Sequence, residues 1–208
     1  MSVIKRPKIE AVLFDFDGVL CTDRFYTNLH PDFPHVLKYI ADEVFSGPKY
    51  CDRWMRGEFT SNQINVMISR ATGIDVSLLN DLFITSVRNM TIEPDILRFA
   101  KSLREKNIPT ALVTNNMDVF NDVTVPEKGL NKVFPVIVNS SDHGIMKHDS
   151  NGKLFDIARD QLGIGTYKGT WLIDDVLTYC TLFSQKGGHF HHFRDTSSFK
   201  QWSRAMLA

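Results

Sequence analysis

The sequence predicts an α/β protein, an open parallel sheet wrapped by helices, with a helical segment inserted after the first strand. Three observations carry that expectation. Short apolar runs recur along the chain, each followed by a helical pattern. The runs lack polar alternation, as strands covered on both faces do. Residues 21–88 show several helical patterns and no convincing strand.

The first strand spans residues 9–15 around Ala11-Val12-Leu13-Phe14. From it emerge Asp15 and Asp17, which point the same way on an extended chain. Two carboxylates that close raise each other's pKa unless a cation lies between them. They therefore fit a divalent metal site, although a solvated acidic turn would also explain them. In the insertion, Pro34 opens a run to Ala41 with apolar residues at helical spacing. Thr60-Ser61-Asn62-Gln63 offers capping chemistry ahead of Ile64, Val66, Met67 and Ile68, and Asp75 starts another helix. Beyond it, residues 93–106 form an amphipathic helix and residues 110–114 a short buried strand. A third strand covers 134–138, weakened at its start by Pro135. Residues 154–162 read as helix, 169–173 as the fourth strand and 189–193 as the fifth. This order implies a Rossmann-like open parallel sheet, with residues 1–20 and 89–208 as its core and 21–88 as a helical cap. On such sheets ligands bind at the carboxyl ends of the strands, near the switch in strand order.

Composition narrows the function. At 208 residues, 43% hydrophobic and 23% charged, the chain can build a core as one domain or as a domain with an insertion. Twenty-four basic residues balance 24 acidic ones, which argues against a nucleic-acid or membrane-surface binder. No apolar run approaches the roughly 20 residues of a membrane-spanning helix. Lys5, Arg6 and Lys8 precede a short apolar stretch, but Glu10, Asp15 and Asp17 interrupt it and no cleavage site follows. Cys21, Cys51 and Cys180 are too few and unpatterned for a disulfide framework. The expectation is a cytoplasmic protein, monomer or homodimer, whose partner is a small molecule.

The ends of the first four strands carry chemistry. The second strand ends in Thr114-Asn115-Asn116, where hydroxyl, backbone N–H groups and a helix start can cradle an anion. After the third comes Ser140-Ser141-Asp142-His143-Gly144-Ile145-Met146-Lys147, which brings a cation to the same edge. The fourth ends in Asp174-Asp175. Singly, Thr114 reads as a helix cap, Lys147 as a surface charge and the aspartate pair as a turn. All four strands delivering compatible groups to one edge makes coincidence a poor explanation.

These residues resemble the motifs of the haloacid dehalogenase superfamily, subfamily I, in the phosphatase branch whose helical C1 cap follows the first motif. The likeness covers nearly the whole chain. Asp15-x-Asp17-Gly18-Val19-Leu20 matches motif one, Val113-Thr114-Asn115 motif two, Lys147 motif three and Ile173-Asp174-Asp175 motif four. The resemblance implies Asp15 as nucleophile, giving an aspartyl-phosphate, and Asp17 as the acid and base. It implies Mg2+ held by the Asp15 carboxylate, the Asp17 backbone carbonyl and Asp175, with Asp174 acting directly or through water. Thr114, Asn115 and Lys147 would bind the phosphoryl group. The implied activity is hydrolysis of a small phosphorylated metabolite such as a sugar phosphate. Asp17 argues against the family's dehalogenases, which carry another residue there. A phosphomutase and a non-catalytic binding module are the alternatives.

Three departures stand out. His148, not proline, follows Lys147, which leaves Lys153 as a rival for motif three. Thr178-Tyr179 stands where many relatives place Asp or Asn. The segment after Cys21 lacks the mutases' hinge histidine, and His30 lies too far along to supply it. In the cap, Arg53 and Arg56 are candidate substrate contacts that solvent exposure would equally explain, whereas Trp54 reads as cap core. Gly163-x-Gly165 falls short of a dinucleotide fingerprint, and strand alternation divides His189, His191 and His192 between two faces.

Overall fold

The computed structural model describes residues 8–29 and 32–207, so Lys5, Arg6 and His30 lie outside the described residues. Five strands form one parallel sheet: β1 (Ala11–Phe14), β2 (Thr110–Thr114), β3 (Val136–Asn139), β4 (Thr170–Asp174) and β5 (His189–His192). Their spatial order is β3-β2-β1-β4-β5. Phe14 pairs with Leu112 on one side and with Ile173 on the other. The chain thus builds outward from β1 in one direction, then crosses back, which opens the crevice between β1 and β4.

The helices are α1 (Pro34–Tyr39), α2 (Arg53–Met55), α3 (Ser61–Thr72), α4 (Val76–Asn89), α5 (Pro94–Glu105), α6 (Val125–Glu127), α7 (Ser140–His143), α8 (Lys153–Gln161), α9 (Leu177–Gln185) and α10 (Thr196–Leu207). The start of α3 is a capping box. Gln63 N–H donates to the Thr60 hydroxyl at 3.2 Å, and Thr60 N–H donates to the Gln63 side chain at 2.9 Å. Asp75 caps α4 by accepting from Leu78 N–H at 2.9 Å. The π-helical segments Ile40–Val44 and Pro48–Asp52 carry the chain from α1 to α2.

Alternation along β1 sends side chains into two cores. Val12 and Phe14 join Phe99 of α5, Phe134 and Phe199 of α10 on one face, with the Phe14 ring 5.4 Å from that of Phe134. Leu13 meets Leu154 and Phe155 of α8 and Phe183 of α9 on the other. A third core lies within the insertion, where Tyr26, Trp54, Ile64, Phe83 and Val87 are buried. Met117 and Val119, from the loop after β2, belong to that third core, so the insertion sits on the carboxyl end of the sheet.

Several expectations shift. The strand expected at 134–138 begins at Val136 because Phe134 turns inward and Pro135 precedes an edge strand. β1 is shorter than residues 9–15, which leaves Asp15 just beyond it. The sequence reading assigned nothing after Phe193, where α10 covers Trp171, His191 and Phe193 with Phe199 and Trp202. Among the described residues no helix is long and apolar enough to cross a membrane.

Candidate active site

The crevice between β1 and β4 gathers the charges that the strand ends deliver. Lys147 is fully buried, and its Nζ lies 2.7 Å from Asp15 Oδ2 and 2.7 Å from Asp174 Oδ2. Backbone amides hold the second oxygen of each carboxylate. Phe16 N–H donates to Asp15 Oδ1 at 2.7 Å, and Val176 N–H to Asp174 Oδ1 at 2.9 Å. Lys147 is itself bracketed by Asn115, whose Oδ1 accepts from Lys147 N–H at 2.8 Å. The Asn115 amide donates to the Tyr179 hydroxyl at 3.1 Å, and the Tyr179 ring centroid lies 5.3 Å from Lys147 Nζ. Lys153 lies exposed at the start of α8 and takes no part, so Lys147 is the lysine that meets Asp15.

Asp17 is held separately. Its Oδ2 accepts from Asn116 Nδ2 at 3.2 Å. Asn116 is buried, and its N–H donates to Asn139 Oδ1 at 3.1 Å and Ser140 Oγ at 3.0 Å. Burial raises the Asp17 carboxyl to about 6, against the opposing pull of Arg24 and Lys147. Burial also pushes Asp15 above the usual carboxylate range; Asp174 and Asp17 push the same way and Lys147 opposes them. Burial disfavours the charge on Lys147, but Asp15 and Asp174 outweigh it and hold the amine charged.

Asp175 completes the cluster at Gly18. That glycine adopts φ +77°, and a Cβ there would lie 2.3 Å from Asp175 Oδ2. Only glycine permits both the left-handed turn and the close approach. Asp15, Asp174 and Asp175 each present an oxygen with all three atoms within 4.8 Å of one another. Hard oxygen donors at that spacing suit a divalent cation such as Mg2+. Two further features fit it: one lysine faces more carboxylates than it can neutralise, and burial raises the Asp175 carboxyl, with Asp174 adding to the effect. The Thr114 hydroxyl is buried at the end of β2 without an internal partner.

A cleft of about 230 Å³ opens over these groups, lined by Asp15, Asp17, Asn115, Lys147, Asp175 and Tyr179, and by Arg24. Six expected residues thus lie on it or beneath it, and the seventh, Thr114, ends the neighbouring strand. The two cap arginines do not reach it. Arg53 Nε donates to Glu58 Oε2 at 2.6 Å and its guanidinium lies over the Phe59 ring. Arg56 forms a two-pronged ion pair with Asp149, one prong at 3.1 Å. In this structure both are paired elsewhere, Arg53 with Glu58 and Arg56 with Asp149. Trp54 is fully buried, as expected of a core residue. The sequence reading missed Arg24, which stands in no local pattern that announces a role. It named Asn116 only within an anion cradle and Tyr179 only as a departure from the family's pattern, not as the partners of Asp17 and Asn115 that they are.

A family model described as a haloacid dehalogenase-like hydrolase matches residues 9–177. No curated protein matches. Among solved structures, a HAD-like family hydrolase of Porphyromonas gingivalis superposes with a TM-score of 0.76 at 18% identity, covering 96% of this chain and 98% of that one. A HAD family enzyme of Bacteroides thetaiotaomicron, in complex with magnesium and inorganic phosphate, gives a TM-score of 0.68 at 18% identity, over 92% and 98% of the two chains. An L-2-haloacid dehalogenase of Xanthobacter autotrophicus gives 0.62 at 16% identity, over 88% and 76%.

Proposed function

The chain belongs to the haloacid dehalogenase-like hydrolase family, and from that premise we propose that it is a Mg2+-dependent phosphatase of small phosphate monoesters. One observation carries the reading. A buried lysine joins Asp15 to Asp174 at 2.7 Å on each side, with Asp175 completing a divalent-cation donor set. A binding module would have no use for a carboxylate held against a buried lysine beside a cation site.

Asp15, Asp175 and the Asp17 backbone carbonyl would hold Mg2+, with Asp174 orienting Lys147. The ion would polarise the phosphoryl oxygens and offset charge. The work of the chain's own residues follows. An Asp15 carboxylate oxygen attacks phosphorus while the bond to the leaving oxygen breaks, and Asp17 gives that oxygen its proton. Asp17 then takes a proton from water as the water oxygen bonds to phosphorus. The Asp15 oxygen departs as a carboxylate and inorganic phosphate is released. Lys147 and the Thr114 hydroxyl stabilise the phosphoryl oxygens throughout. Burial suits Asp17 to this double role, because its carboxyl holds a proton more readily than a solvated one.

Purified protein with Mg2+ should release phosphate from an aryl phosphate, and Asp15→Asn should reduce release to background without lowering the melting temperature. Undiminished turnover in Asp15→Asn would refute the mechanism. A wild type inert across a broad ester panel would favour the non-catalytic module.

A further inference from the structure

A second cavity adjoins the catalytic cleft. It encloses about 530 Å³ under the insertion, and Asp17, Arg24 and Met55 line both spaces. Beyond those shared residues its wall changes character. Phe25, Leu37, Ile40, Phe45, Met90 and Met117 line it, and Asp23 adds a further charge near the Arg24 end. Ile40, Met90 and Met117 are buried in its floor, whereas Phe45 is 36% exposed at its rim. The Phe25 and Phe45 rings stack with centroids 6.4 Å apart, so one wall is aromatic.

The position of Asp17 gives this chamber its meaning, and the inference rests on the phosphatase reading. The acid must touch the leaving oxygen. A substrate whose phosphorus lies over Asp15 therefore has its leaving group on the Asp17 side, where the chamber begins. A sugar or polyol there would lose water from each hydroxyl and find few partners beyond Asp23 and Arg24 at the neck, and each unpaired group weakens binding. An apolar group would instead exchange water for rings and thioethers, a gain that grows with the apolar area buried. Cavities of this size and lining are the common form of small-ligand sites.

We propose that the chamber receives an apolar, ring-bearing leaving group, so that the substrate is a hydrophobic phosphate monoester and not a sugar phosphate. Arg24, exposed at the neck, is the cation that the phosphoryl group passes on entry. Met55, Met90 and Met117 provide adaptable thioether contacts to a ring.

The test compares two esters with similar primary-alcohol leaving groups, 2-naphthylmethyl phosphate and glycerol 3-phosphate. The expected kcat/KM ratio favours the naphthyl ester by about tenfold or more, the effect of a well-filled apolar pocket. Phe45→Gln should lower that ratio about tenfold. Ala41→Gln, at an exposed position on the same wall, should do likewise and guards against a folding defect in the first variant. Binding of 2-naphthylmethylphosphonate, measured by calorimetry, separates the two readings. If neither ester turns over but the phosphonate binds and both variants weaken it, the chamber stands and hydrolysis falls. If the glycerol ester is preferred, or the variants leave the ratio unchanged, the apolar assignment is overturned and the phosphatase reading survives.

Discussion

At the residue scale, the site's legibility follows from where its groups lie in the chain. Asp15, Asp174 and Thr114 stand at or next to the ends of apolar strands, so the pattern that predicts the strands also aligns their last residues at one edge. Lys147 lies in no strand; its loop folds back to the edge, held there by the pairing of its backbone with Asn115 and of its amine with Asp15 and Asp174. Arg53 and Arg56 show the converse: a charge near a site declares nothing until its partners are known. Gly18 supplies a prediction at this scale. Gly18→Ala strains the left-handed turn and drives a methyl into Asp175, which should cost roughly 1–3 kcal/mol of stability. Chemical denaturation would measure the loss. Calorimetric titration with Mg2+ should show weakened affinity, and unchanged affinity would separate the turn from the cation site.

At the element scale, helices with strong caps and strands with apolar runs were readable, while the ends and the irregular connections were not. The capping box of α3 was written in Thr60 and Gln63. The π-helical passages and α10 were not read, since their positions depend on what they cover. The same holds for the latch between α2 and the loop that carries Lys147. Its Arg56–Asp149 pair holds the Asp149 carboxyl below its usual range, chiefly through the hydrogen bonds from Arg56. A folded-state value below the unfolded one, about 3.9, stabilises the protein above that pH. The contribution is lost as pH falls through the folded value. Asp149→Asn should therefore reduce stability near neutrality and flatten its decline between about pH 5 and 2. Unfolding free energies measured across that range would show it, and parallel curves for the two proteins would contradict the latch.

At the scale of the whole molecule, three cores meet at one edge. Two lie on opposite faces of the sheet and the third fills the insertion, yet Met117 and Val119 tie the third to the strand ends. Four carboxylates gather at that junction around one buried lysine, and burial raises Asp15, Asp17 and Asp175 above the usual range. Mg2+ should accordingly stabilise the fold by mass action, by about 2.7 kcal/mol at a concentration one hundred times its Kd. Thermal melts with and without Mg2+ should differ for the wild type and converge for Asp175→Asn. An equal Mg2+ response in that variant would remove Asp175 from the ligand set.

The loop after β2 has three consecutive residues that serve three masters. Asn116 donates to Asp17, Met117 is packed into the insertion's core, and Asp118 accepts from Ser61 N–H at 2.8 Å and from Trp54 Nε1 at 3.0 Å. With so short a linkage, the packing of the insertion's core and the amide that steadies Asp17 are fixed by one three-residue segment.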